Sequence, residues 1–258
     1  MKEEKVVFHN EKSQKLVGLL ALPENKKPSV VIIIHGFKGT KEYHQFANNS
    51  IKPLTDAGFA VLRIDCRGSG ESDLEFKDMT IKSESEDVLT AINYVKKLKT
   101  VNSDKIALIG ISMGTAAILM AMKEKPKVKT LVLWGPGWYF KGVKHYDTPE
   151  HRKTIKEEGV FYVRQSFAPR KKLIAGKDLF NEFITFDIRP FLKFVKIPVL
   201  ILRGSEDEVV GLEDDKEATK LLNAEYDIIE RGDHSFIDKN SEKELIKLTV
   251  NWLKKWLK

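Results

Sequence analysis

Continuous apolar runs alternate along this chain with longer stretches of helical period. Val30-Val31-Ile32-Ile33-Ile34 is the clearest run: five β-branched residues with no polar break, as in a strand covered on both faces. Ala60 to Ile64, Lys105 to Ile109, Thr130 to Trp134, Pro198 to Arg203 and Tyr226 to Ile229 read as further strands. Helical period fills the gaps: Phe46 to Ala57 (stopped by Gly58), Glu84 to Lys97, Met113 to Lys123, Asp215 to Leu222, and an amphipathic Leu245 to Leu257 with two Trp. Ahead of these, Val6 to Phe8 and Leu16 to Leu22 read as two strands joined by a polar turn at Asn10 to Ser13.

Strands alternating with helices predict a mostly parallel sheet flanked by helices on both faces, an α/β fold built as one domain over residues 1–258. From about Gly135 to Pro190 the rhythm breaks. That stretch is aromatic-rich and carries basic clusters such as Arg170-Lys171-Lys172, so it is expected to be an inserted cap. Neither internal repeats nor low-complexity segments interrupt the chain.

Composition narrows the class. With 258 residues, 42% hydrophobic and 31% charged, the chain can bury one sizeable core. Its net charge of +7 comes from Lys interleaved with Glu and Asp, which favours a solvated surface over a nucleic-acid or membrane footprint. The single Cys66 excludes an intrachain disulfide and a Cys-cluster metal site. The Met1-Lys2-Glu3-Glu4-Lys5 start has no apolar signal core, and no run is long enough to span a membrane. A cytoplasmic setting is therefore expected.

Candidate chemistry begins at Gly110-Ile111-Ser112-Met113-Gly114. This G-x-S-x-G follows an apolar strand and opens a helix of small residues, the context of a nucleophile elbow. A serine in a chance Gly-rich turn is the competing reading, and the flanking strand and helix weigh against it. The first helical amide, on Met113, would point at the reaction centre as an oxyanion donor. His35-Gly36-Phe37 ends an earlier buried strand, which makes the Phe37 amide the natural second donor. The imidazole of His35 is read as ordering that loop.

A serine hydroxyl needs a base, and the base an acid to fix its tautomer. Of six histidines, only His234 follows the last predicted strand. His145 and His151 lie in the expected cap, His9 precedes the sheet core, and His44, near the oxyanion loop, is the second choice. Asp207 follows the strand Pro198 to Arg203 at a loop mouth and is the preferred acid, with Glu206 and Glu208 as adjacent alternatives. Asp233, next to the histidine, is poorly placed for a side-chain bond to it. The order Ser, Asp, His is that of α/β hydrolases.

His35-Gly36-Phe37, Asp65 to Ser72, Glu86-Asp87 with Ile92 to Val95, the elbow, Gly204 to Val210 and Gly232 to Phe236 together carry a resemblance. The sequence resembles the α/β-hydrolase superfamily over nearly its full length. Within it, the likeness is to bacterial feruloyl (cinnamoyl) esterases and to monoacylglycerol-lipase and serine-aminopeptidase-type hydrolases. The resemblance implies that Asp65, Arg67 and Gly68 form a structural turn. Many cinnamoyl esterases flank the serine with His and Gln, whereas Ile111 and Met113 stand here.

Together these readings predict a cofactor-free, metal-free serine esterase acting through an acyl-enzyme on short-chain or aryl (hydroxycinnamoyl) esters. The alternatives are a serine aminopeptidase, a monoacylglycerol lipase and, in another class, a non-catalytic binding protein on the same fold. A dehalogenase or epoxide hydrolase would place Asp at the elbow. The expected partner is a small-molecule ester, not nucleic acid and not a membrane, and a homodimer is left open. Trp138 and Tyr139, just past a strand end, are the aromatic residues expected to face substrate. From Lys141 to Asp178, ten Lys and Arg stand against five Asp and Glu; a solvated helix face is preferred there over a rim that steers anionic acyl groups.

Overall fold

Alternate residues of the apolar runs are buried on opposite sides of one sheet. Val30, Ile32 and Ile34 pack into one core, and Val31 and Ile33 into a second. This two-sided burial explains the absence of polar positions in the run. A computed structural model describes residues 1–138, 142–164, 172–210 and 213–257. Its main sheet has eight strands: β1 (Lys2–His9), β2 (Lys15–Leu22), β3 (Ser29–Ile34), β4 (Ala60–Asp65), β5 (Asn102–Ile111), β6 (Thr130–Trp134), β9 (Val199–Gly204) and β10 (Glu225–Ile229). Their spatial order is β1-β2-β4-β3-β5-β6-β9-β10. β1 and β2 pair antiparallel, as do β2 and β4; every other pairing is parallel.

Helices cover both faces. On one side lie α1 (Gln45–Asp56) and α8 (Lys239–Leu257), which contribute Phe46, Ile51, Leu54, Leu245, Trp252 and Leu253 to the core. The other side is covered by α2 (Ile81–Lys97), α3 (Met113–Ala121) and, through Ala218 and Leu222, α7 (Glu213–Leu222). Thr80 starts α2 with a capping box, its hydroxyl accepting from Ser83 N–H while the Ser83 hydroxyl accepts from Thr80 N–H.

Between β6 and β9 the chain leaves the main sheet. It forms a 3-10 turn at Lys144–Tyr146, α4 (Pro149–Glu158), an antiparallel pair β7 (Val160–Arg164) and β8 (Lys172–Gly176), α5 (Lys177–Thr185) and the short α6 (Arg189–Leu192). Phe161, Phe180 and Phe183 seat these elements on the α2–α3 side. Glu182 of α5 accepts from the first amides of α2, on Ile81 and Lys82, at 2.5 and 3.2 Å. A carboxylate there satisfies orphan N–H groups and complements the helix dipole. Of the expected basic cluster, Arg170 and Lys171 lie outside the described residues.

Because β3, β5, β6, β9 and β10 run parallel, their carboxyl ends share one edge. The loops beginning at His35, Ser112, Gly135, Ser205 and Glu230 all leave that edge. This is where open α/β sheets place ligands.

Candidate active site

Ser112 sits between β5 and α3 with φ +50° and ψ −117°. For a residue with a Cβ this backbone is strained, and it persists only where the surroundings over-determine it. Three bonds hold it. Ser112 N–H donates to the Trp134 carbonyl at 3.0 Å, and its own carbonyl accepts from Thr115 and Gly137 N–H at 3.0 and 3.2 Å. The turn is tight enough that Gly114 has no room for a side chain: an added Cβ would lie 2.5 Å from the His35 carbonyl oxygen and 2.6 Å from that of Ile34.

The imidazole of His234 bridges the serine and an acid. Its Nε2 lies 3.0 Å from Ser112 Oγ, and its Nδ1 lies 2.8 Å from Asp207 Oδ2. An ionised carboxylate can only accept, so Nδ1 carries the hydrogen and Nε2 is left to accept from the serine hydroxyl. The three residues come from loops after β5, β9 and β10, and the last two loops are tied together. Glu206 N–H donates to the Gly232 carbonyl at 2.8 Å, and Arg231 N–H to Ser205 Oγ at 2.9 Å. Phe236 is buried beyond the histidine against Phe46 and anchors the loop from below.

Burial separates the three adjacent acids. Asp207 is buried, whereas Glu206 and Glu208 are exposed. Asp207 Oδ1 accepts from the amides of Val209 and Val210 at 3.0 and 3.2 Å; Oδ2 accepts from His234 and from Arg203 Nη1 at 2.8 Å. Burial opposes its charge, but the hydrogen bond and field of His234, with the Arg203 guanidinium, outweigh it and hold the carboxyl at about 2. Asp233 instead accepts from the amides of Ser235 and Ile237 in its own turn.

The loop after β3 passes directly against the nucleophile. A Cβ on Gly36 would stand 3.1 Å from Ser112 Cβ. Gly39 N–H closes the turn onto the Gly36 carbonyl at 2.9 Å. His35 is buried; its Nδ1–H donates to the Gly36 carbonyl at 3.0 Å and its Nε2 accepts from Cys66 N–H at 3.1 Å. Burial pushes its pKa down, keeping the ring neutral for both bonds. The Phe37 ring is held by Phe183, Phe76 and Tyr146, with centroids 5.1, 5.6 and 5.8 Å away. Met113 is the first residue of α3, so its amide is among the orphan donors of that helix. His44 Nε2 is buried without a hydrogen-bond partner, and burial, with smaller pushes from His35 and His234, holds its pKa at about 3.

Trp138 has a different place from the one expected. It is fully buried, and its indole N–H donates to Asp215 at 2.5 Å. Polar contact with a buried carboxylate turns the ring inward, where no surface is left for a ligand. Tyr139 lies outside the described residues. Sequence reading also passed over Arg203 and Asp215, both fully buried. Their one signal is an arginine closing the apolar strand Val199 to Leu202.

Beside the Phe37 loop is a cleft lined by Lys38, His145, Tyr146, Glu150, His151, Tyr162 and Val163. As for metals, His35, Cys66 and Glu84 form the only grouping of three candidate ligands among the described residues. This donor set does not suit an ion. Both His35 nitrogens are committed to the backbone, and burial keeps the Cys66 thiol and the Glu84 carboxyl protonated. Among the described residues, no helix is long and apolar enough to cross a membrane.

The profile of the serine aminopeptidase, S33, family matches residues 25–177. A 2-hydroxy-6-oxononadienedioate/2-hydroxy-6-oxononatrienedioate hydrolase of Escherichia coli K12 is 30% identical over 159 residues, 61% of this chain and 50% of that protein. An uncharacterized 31.7 kDa protein of Escherichia coli is 34% identical over 114 residues, 43% of this chain and 38% of that protein. The chain thus spans half or less of the length of these curated relatives. Among solved structures, Est1E of Butyrivibrio proteoclasticus with ferulic acid bound superposes with a TM-score of 0.76 at 23% identity, covering 97% of this chain and 96% of that one. A Pyrococcus furiosus esterase superposes at 0.76 and 20% identity, over 100% and 92%. At such identities these likenesses speak for the fold, and the fold is that of the α/β hydrolases.

Proposed function

The chain belongs to the serine aminopeptidase S33 family of α/β hydrolases, and on that footing we propose that it is a serine esterase cleaving short-chain or aryl carboxylic esters through an acyl-enzyme. The observation that carries the proposal is the imidazole of His234, bonded at once to Ser112 Oγ (3.0 Å) and Asp207 Oδ2 (2.8 Å). Ser112 Oγ attacks the ester carbonyl while His234 Nε2 takes its proton. The negative charge that develops on the carbonyl oxygen is held by the amides of Phe37 and Met113. Donors of this kind are worth about 3 kcal/mol each. His234 then gives the proton to the departing alcohol, and water, deprotonated by the same nitrogen, releases the acid. Asp207 stays ionised throughout and stabilises the imidazolium.

In this reading, the segment from about residue 135 to about residue 190 acts as a cap that selects substrate. The cleft beside Phe37 favours esters over peptides with a free amine. Its lining holds one acid, Glu150, offset by Lys38, whereas an aminopeptidase needs acidic groups to grip an ammonium.

The test is hydrolysis of a short p-nitrophenyl ester and of methyl ferulate by wild type and Ser112→Ala. Cleavage of either ester, with a loss of at least about 10³-fold in the variant, is expected. A wild type inert on both, or a variant that keeps its rate, overturns the reading and brings amide substrates or a binding role forward.

A further inference from the structure

Asp207 Oδ2 serves two donors, one of them a cation. It accepts from His234 Nδ1 and from Arg203 Nη1, each at 2.8 Å. Arg203, next to last in β9, is fully buried, as is its second partner, Asp215 of α7. Nε and Nη2 of the guanidinium grip Asp215 Oδ2 and Oδ1 at 2.8 and 2.7 Å, and Nη2 also donates to the Pro136 carbonyl at 2.8 Å. Asp215 in turn accepts from Tyr226 Oη at 3.0 Å and from the Trp138 indole. Three segments therefore meet on one planar cation, the acid loop, α7 and the Pro136 carbonyl after β6, while Tyr226 of β10 and Trp138 reach it through Asp215.

A buried bidentate pair between Arg203 and Asp215 would by itself close its own charge account. The link to Asp207 has no such structural need, because two backbone amides and a histidine already satisfy that carboxylate. We propose that Arg203 is a positioning residue for the Ser112–His234–Asp207 site, fixing the plane of the Asp207 carboxylate and sharing its charge with His234. This rests on the esterase reading above. Lysine could not substitute, since a point charge cannot span two carboxylates and a carbonyl in fixed geometry.

The consequence lies in the pH profile. A guanidinium on the same oxygen competes with His234 Nδ1–H for Asp207 Oδ2, so removing it would strengthen the hold of Asp207 on the imidazole. The other groups facing His234 and Arg203 leave this balance to Arg203. His44 stays neutral, Tyr226 is pushed to higher pKa by burial and Asp215, and Asp215 is tied to Arg203 itself. Glu206, Glu208 and Asp233 are neighbours in sequence, but the first two are exposed and the third is turned into its own loop.

The experiment compares kcat/KM against pH for wild type, Arg203→Lys and the charge-balanced double variant Arg203→Met with Asp215→Asn, using p-nitrophenyl acetate. Ser112→Ala is run alongside. In the double variant the acid limb is expected to move up by about 1 pH unit, with kcat down roughly 10-fold as the carboxylate loosens. Arg203→Lys keeps a charge nearby, so its limb stays while kcat falls. A folded double variant whose limb coincides with wild type overturns the proposal and leaves Arg203 a purely structural ion pair. Should the double variant not fold, Arg203→Lys decides: an unchanged kcat overturns the proposal, a lowered kcat at constant KM supports it. Activity that survives Ser112→Ala sinks the esterase reading itself, a result distinct from an unmoved limb.

Discussion

Gly114 rests against the carbonyl of His35 with no space for a methyl group, so the first turn of α3 and the loop carrying Phe37 are packed backbone to backbone. Gly114→Ala forces the two apart. Alanine gains about 1 kcal/mol of helix propensity. Overpacking costs about 1 to 3 kcal/mol, and the atoms met here are backbone oxygens at 2.5 and 2.6 Å that no side-chain rotation can move, so destabilisation wins. The expected result is a lower denaturation midpoint with a disproportionate fall in kcat, measured by urea unfolding and ester hydrolysis on the same preparation. A variant as stable and as active as wild type would show that the loop has slack.

Two histidines lie near Ser112, and only one is bonded to it. His234→Gln is expected to lower kcat by at least about 10³-fold. His44, held neutral at about 3, does not titrate where activity does. His44→Gln is therefore expected to leave the acid limb of the rate profile where it is in wild type. A shift of that limb would return His44 to the reaction.

Trp138→Phe keeps the ring and removes the N–H that Asp215 accepts. Losing a buried bond to a charged acceptor costs about 1 to 3 kcal/mol. Stability should fall by that amount while KM for methyl ferulate stays close to wild type. A large rise in KM at unchanged stability would restore Trp138 as a substrate contact.

Glu84 is buried with both carboxylate oxygens unpartnered, and burial raises its pKa well above 4.5, aided by Asp87 and Glu182. A raised folded value means that the stabilising contribution is complete below about pH 4.5 and is lost as pH climbs towards the folded value. Asp87, raised to about 6 by burial despite its bond to Arg67, acts with the same sign. Glu84→Gln removes the first of these. Its stability should fall less steeply as pH rises above about pH 4.5, by up to about 1.4 kcal/mol per pH unit. Denaturant melts across that range check it, and parallel slopes would mean that Glu84 ionises freely when folded.

Ser112 and His234 were legible because their signals are local. A strand, a Gly-flanked serine and a small-residue helix lie within a few residues of each other, and the histidine follows the last strand. Asp207 was less so, since three consecutive acids share one loop and only burial separates them. Arg203 and Asp215 were invisible as a pair. Nothing in a sequence says that two residues from a strand and a later helix face each other in the core. In the stretch between β6 and β9, α4 was missed because none of its residues is fully buried, so no apolar period marks it. Its start and stop signals, Thr148-Pro149 and Gly159 with φ +73°, were present all the same.

The edge position of β10 bears on how the chain acquires its chemistry during synthesis. Ser112 leaves the ribosome early, with β3, β4 and β5 already made and α3 next to follow. His234, which bonds Ser112, is made only with the loop after β10, an edge strand of the sheet. Until that loop is made and docked on the sheet, Ser112 Oγ has no imidazole against it.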